Sequence, residues 1–178
     1  SDALAFLHSK NFVHRDIKPA NILFRDDNSA VLTDFGIARD RSLNSRMTMA
    51  GFIIGTPHYM SPEQAKGEPA DTRSDIYSLG VLMFRLLAGH VPFSAEDSIG
   101  ICHQHITAKI PHLPKKCSRF DHIVRKMLAK SPRNRYQKAN DIIRDIKIVS
   151  GSATTRPIRQ SKNVPIANSN VRSQAKTV

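Results

Sequence analysis

The sequence predicts a mainly α domain that carries one small β-hairpin near its N-terminus. Three observations lead there. Two short β-prone runs, 21–24 and 30–35, flank a turn-rich quartet, Arg25-Asp26-Asp27-Asn28. From Ser74 onward apolar residues recur at helical spacing behind capping residues. A hydrophobic fraction of 40% over 178 residues is enough for one buried core.

The elements follow in order. Residues 3–9 form a short helix. The hairpin comes next, and 37–60 lacks clean periodicity and reads as a long loop. The run 74–88 is apolar almost all round, which marks a helix buried on every side, and Gly89 supplies its stop. Ser94 with Asp97 three residues on resembles a capping box and opens a second helix; Ser118 with Asp121 repeats the pattern. Phe120, Ile123, Val124, Met127 and Leu128 form the apolar face of that third helix, and Pro132 ends it. A last helix over 139–149 aligns Ile142, Ile143, Ile146 and Val149. The structured domain therefore spans 1–149, and 150–178, rich in Ser, Thr, Asn, Gln and Arg, reads as a basic disordered tail or linker.

Charge narrows the function classes. The net charge is +12, yet 151–178 holds five basic residues and no acidic one. The first 150 residues keep 22 basic against 15 acidic residues, a balance that favours acidic partners without amounting to a nucleic-acid footprint. No Trp and 6% aromatics leave no stacking platform for single strands. Two cysteines, Cys102 and Cys117, make no disulfide scaffold and suit a reducing compartment. The most apolar stretch, 76–88, is 13 residues long and contains Arg85, too short for a membrane span. With no signal peptide at its start, the chain is expected to be cytoplasmic. Cys102, His103, His105, His112 and Cys117 match no compact zinc spacing. His8 and His58 are expected in packing or surface roles.

The hairpin brings chemistry together. A symmetric turn at 25–28 pairs Leu23 with Leu32 and sets Asn21 opposite Asp34, within about 5.5 Å between Cβ atoms. An amide oxygen and a carboxylate at that separation form a hard-oxygen site for Mg²⁺. Asp16 lies five residues upstream of Asn21, with Lys18 beside it. Such a cluster suits phosphoryl transfer, where catalysis is positioning plus charge neutralisation.

The wording of the motifs is more specific. His14-Arg15-Asp16-Ile17-Lys18-Pro19-Ala20-Asn21 resembles the catalytic loop of protein kinases, and Asp34-Phe35-Gly36 their metal-binding tripeptide. Gly55-Thr56-Pro57 and Ser61-Pro62-Glu63 follow at the family's spacing, then Asp75-Ile76-Tyr77-Ser78-Leu79-Gly80 and a late Arg135. The chain over 1–149 is similar to the C-terminal lobe of bacterial, eukaryotic-like Ser/Thr kinases. The resemblance implies that Asp16 orients the acceptor hydroxyl and takes its proton, while Lys18 stabilises the γ-phosphate. It implies ATP and Mg²⁺ as cofactors, with Asn21 and Asp34 as the metal ligands and Lys18 on the nucleotide. Thr56 would set the substrate-docking loop for Ser or Thr acceptors in protein substrates. Glu63 with Arg135, and Asp75 with the catalytic loop, would be structural pairs. Arg15 before Asp16 implies control by phosphorylation in the 37–60 loop, first at Thr48 and then at Ser45 or Ser42.

No Gly-x-Gly occurs in the chain, and only 13 residues precede His14. The family's Gly-rich loop and its Lys–Glu pair are therefore expected to lie outside this sequence, and the isolated chain to show little activity. Two alternatives stand beside the kinase reading. One is a truncated relic or non-enzymatic binding module. The other is a basic protein that binds nucleic acid or anionic lipid through 151–178. No nucleic-acid partner is expected in the kinase reading. In related kinases such a segment often leads to a membrane span, so a membrane-anchored parent protein is compatible with it.

Overall fold

The computed structural model describes residues 2–27, 29–34 and 57–151. Helix α1 (Asp2–Ser9) is followed by a loop and a 3-10 turn at Pro19–Asn21. The strands β1 (Ile22–Phe24) and β2 (Ala30–Leu32) pair antiparallel. Helices α2 (Pro62–Ala65), α3 (Thr72–Ala88), α4 (Ser98–Thr107), α5 (Asp121–Met127) and α6 (Ala139–Val149) complete the described fold. The mainly α architecture with one small hairpin is the one expected. Among the described residues no helix is long and apolar enough to cross a membrane.

Five local expectations need correction, and four of them have a hydrogen-bonding reason. The hairpin register is shifted by one residue, with Ile22 opposite Leu32 and Leu23 opposite Val31. The turn closes between Arg25 and Ser29, whose carbonyl accepts the Arg25 N–H at 3.0 Å, because the Asp27 carboxylate captures the Ser29 N–H at 2.8 Å. The second strand also stops at Leu32, and Phe35 lies outside the described residues. Helix α3 begins at Thr72, not Ser74, since Asp71 caps it and Ser74 is its reciprocal partner. For α4 the cap is Asp97 itself, bonded to the Gly100 N–H at 2.6 Å, while the Ser94 carbonyl is taken by the Gln104 amide. Ser118 caps nothing. It sits in a 3-10 turn, Lys115–Phe120, that runs into α5, and the Asp121 carboxylate turns back to the Leu113 N–H at 2.8 Å.

The core forms where α3 meets α5. Tyr77, Val81 and Phe84 meet Phe93, Leu113, Val124 and Leu128 in one cluster. Ile76, Ile123, Met127, Tyr136 and Ile142 form a second. Each such side chain, fully buried, contributes about 1.5–3 kcal/mol before entropy is charged against it. Gly80 is what lets the two helices close: a Cβ there would stand 2.8 Å from the Met127 Cβ. Gly89 ends α3 with φ +87°, a left-handed cap that a side chain would strain. Burial of α3 is concentrated between Ser74 and Phe84, whereas Thr72 and Arg73 are half-buried and Arg85 and Leu86 face solvent, so the helix is not buried on every side. Helix α1 lies against α6, and Leu4 joins Ile17 and Ala139 in a third small cluster that anchors the loop between α1 and β1.

Candidate active site

The loop after α1 is suspended from α3 by one carboxylate. Asp75, 1% exposed, accepts the His14 N–H on Oδ2 and the Arg15 N–H on Oδ1, both at 2.8 Å. His8, from α1, adds its Nε2 to Oδ2 at 3.0 Å. A buried carboxylate that meets two backbone donors and a ring nitrogen has its charge spread over fixed hydrogen bonds. Arg15 sits at φ +66°, a left-handed conformation that costs on the order of 1–3 kcal/mol and is sustained by those contacts. Its carbonyl accepts the Gln64 amide at 3.0 Å, so α2 grips the same loop from the other side.

His14, also buried, ties the loop to the hairpin. Its Nδ1 accepts the Asp16 N–H at 3.3 Å, which makes Nε2 the protonated nitrogen that donates to the Thr33 carbonyl at 3.0 Å. The three residues singled out in the loop are brought together. Asp16 Oδ2 meets Lys18 Nζ at 2.9 Å and Asn21 Nδ2 at 3.0 Å. Asn21 Nδ2 also donates to the Asp16 carbonyl at 2.8 Å, so the amide nitrogen is committed and the amide oxygen is the group Asn21 can present to a cation. Asp34 is placed differently from the expectation. The Thr33 N–H, not Asp34, bonds the Asn21 carbonyl, at 2.9 Å, and Asp34 follows at φ +56° with an exposed side chain. Asn21 and Asp34 are hard oxygen donors of the kind Mg²⁺ takes.

The second structural pair is complete. Glu63 receives both terminal nitrogens of Arg135, at 2.7 and 2.8 Å, and the Ser74 hydroxyl at 2.6 Å. The remaining Arg135 donors reach the Arg73, Ala129 and Lys130 carbonyls, so all five N–H groups are used. Burial pushes the Glu63 carboxyl up, but the Arg135 and Ser74 hydrogen bonds and the arginine's charge outweigh it and hold it below its ordinary value.

Two residues that sequence reasoning undervalued belong to this frame. His8 bonds Asp75. Gln64 caps α2 reciprocally with Ser61 and reaches Arg15, and Ser61-x-x-Gln64 is a capping-box signal legible in the sequence. Residues 1–145 match the protein kinase domain family. The chain belongs to that family. A serine/threonine-protein kinase PknB of Mycobacterium leprae is 39% identical over 161 residues, 87% of this chain and 26% of that protein. A probable serine/threonine-protein kinase of Corynebacterium efficiens is 38% identical over 173 residues, 92% and 26% respectively. One from Clostridium acetobutylicum is 39% identical over 156 residues, 84% and 23%. The chain thus spans about a quarter of the length of the curated relatives it matches.

Thr48 and Thr56, with Ser42, Ser45 and Gly36, lie outside the described residues. The Cys and His residues of 102–117 are dispersed. His105 is buried against Tyr77, His112 is exposed and pairs with Asp121, and among the described residues no three His, Cys, Asp or Glu side chains gather as a metal group.

Proposed function

We propose that this kinase, in its complete form, transfers the γ-phosphate of ATP to Ser or Thr side chains of proteins. The observation that carries the proposal is the meeting of Asp16, Lys18 and Asn21 on a loop hung from buried Asp75. Asp16 accepts the proton of the acceptor hydroxyl as its oxygen bonds to phosphorus, and ADP leaves. The Lys18 ammonium, held 2.9 Å from that carboxylate, balances charge where the phosphoryl group passes. Asn21 and Asp34 are the residues that would hold Mg²⁺, whose contribution is to neutralise phosphate oxygens. Thr56 is proposed to fix the docking loop for Ser and Thr acceptors. A phosphate on Thr48 is proposed to engage Arg15.

The chain is proposed to form the C-terminal lobe of a two-lobed kinase, its helical lobe spanning 1–149 with the basic linker 150–178 behind it. Phe6, Phe12, Leu23 and Phe24, on α1, the loop after it and β1, are large apolar side chains exposed to solvent, 73% in the case of Phe24. Such a set favours a covering partner surface. The Gly-rich loop and the Lys–Glu pair that cradle ATP have no counterpart in these 178 residues, so the covering lobe is the proposed source of both.

Labelled ATP and a panel of Ser, Thr and Tyr peptides test the proposal on the complete protein. Asp16→Asn is expected to lower kcat by about 10²–10⁴-fold with an unchanged melting temperature. Full activity in that variant, or labelling confined to Tyr peptides, would defeat it.

A further inference from the structure

The positive charge of this chain is not spread over its surface. Residues 1–108 carry ten basic and twelve acidic side chains, whereas 109–138 carry ten basic and one acidic. Two of those ten, Lys130 and Arg135, are spent on internal carbonyls and on Glu63, and a third, Arg125, gives one nitrogen to the Ile110 carbonyl. The others include a face on the continuous helical run formed by the Lys115–Phe120 turn and α5. Lys115, Lys116, Arg119 and His122 are exposed on it, Arg125 and Lys126 are half-buried at its edge, and Ile123, Val124 and Met127 fill the opposite side. Asp121, the one carboxylate in the run, is drawn back to the Leu113 N–H and to His112. Lys115, Lys116 and Arg119 form no ion pair with any described residue.

Helix α6 packs against this turn, and its last residues share the apolar cluster of Phe120. There Lys147 and Ile148 are exposed, and Asp141 and Asp145 are both met by Arg144. The chain then continues from α6 into 152–178, five basic residues with no acidic one. Single-sign charge on a helix face, an apolar side chain next to it and a basic extension without acids are the features that an anionic bilayer surface attracts. We propose that the 115–126 face, with the end of α6, is a docking surface for the anionic phospholipid headgroups of a membrane. The proposal is independent of the phosphoryl-transfer chemistry. It seats the lobe on the membrane by a built surface rather than by its flanking sequence alone.

Sedimentation of the 178-residue chain with vesicles of phosphatidylcholine, with and without phosphatidylglycerol, tests it. Binding is expected only with the anionic lipid, and it should weaken steeply with added salt. Neutralising the three exposed cations that lack an ion pair (Lys115→Gln, Lys116→Gln, Arg119→Gln) should lower the partition coefficient about a hundredfold, at about fivefold for each cation near the surface. Those side chains are exposed, so the melting temperature should stay put. A second variant, with Arg156, Arg159, Lys162, Arg172 and Lys176 changed to Gln, should keep measurable binding. The proposal is overturned by wild-type affinity in the first variant, by complete loss in the second, or by equal binding to neutral vesicles. Salt-sensitive capture of duplex DNA with no vesicle binding also overturns it, since the face would then belong to nucleic acid.

Discussion

Replacing Arg135 by Met should be among the most damaging single changes in this fold. The guanidinium places two bonds on Glu63 and three on the Arg73, Ala129 and Lys130 carbonyls, all within 3.0 Å. Methionine fills similar volume and returns none of them. Glu63 would then stay buried with the Ser74 hydroxyl as its remaining side-chain donor. One-sided removal from a buried pair costs about 3–5 kcal/mol, against a total domain stability of about 5–15 kcal/mol. Arg135→Lys has three N–H groups for five acceptors, so an intermediate loss of about 1–3 kcal/mol is expected. Combining Arg135→Met with Glu63→Gln removes the stranded charge, and the double variant should recover at least ~1 kcal/mol of the single loss. The chain has no Trp, so urea unfolding should be followed by far-UV circular dichroism. The acid limb supplies an internal check. A carboxyl held below its ordinary value of 4.5 contributes stability that is present above 4.5 and lost as pH falls through the folded-state value. That acid loss should shrink in Arg135→Met. A cost below ~1 kcal/mol, the range of a surface pair, would refute the reasoning.

Two other perturbations follow from the same structure. His105 is fully buried, its Nδ1 accepts the Tyr77 hydroxyl at 2.8 Å, and burial, with Lys130 and His58 nearby, pushes its pKa down to about 3. The unfolded chain binds this proton first, so stability should fall as pH drops from 6.5 toward 3, by about 1.4 kcal/mol per unit, and His105→Gln should flatten that part of a pH-melting curve. Asp75→Asn keeps the shape but offers one carbonyl to the His14 and Arg15 N–H groups, so hydrogen exchange at those two amides should speed up by at least ~10-fold, the loss of one charge-assisted bond of about 1.5–3 kcal/mol, while amides of α5 stay protected.

The helices are legible where apolar period and terminator agree: the periodic run over 139–149 coincides with α6, and Gly89 ends α3 as its left-handed φ requires. Their starts were less legible, because Asp71, Ser74, Ser94 and Asp97 are all competent caps and the choice among them is made by tertiary partners such as Glu63 for Ser74 and Gln104 for the Ser94 carbonyl. The hairpin register failed for a local reason. One carboxylate, Asp27, recruits Ser29 into the turn and shifts every pair by one. The candidate site was legible as motif: Asp16, Lys18 and Asn21 meet, and Glu63 finds Arg135. The resemblance also implies the pairing of Asp75 with the loop, and the His14 and Arg15 N–H groups do bond that carboxylate. What neither motif nor periodicity reveals is the added grip of His8 on Asp75 and of Gln64 on the Arg15 carbonyl, since long-range contacts of this kind are not encoded in spacing.

Glu63 and Arg135 are separated by 72 residues, and the order of synthesis gives that distance a meaning. A nascent chain that has emerged only as far as α5 holds the carboxylate and the serine but not the cation, so α2 has no reason to bury Glu63. Gln64 then has no fixed place from which to hold the Arg15 carbonyl. The second support of the loop bearing Asp16, the one from α2, is therefore completed late, after the segment that carries Arg135 has left the ribosome. A chain stalled short of that point should be cut by protease at 57–68, and one stalled beyond it protected, so the loop gains its second support only once the segment bearing Arg135 exists.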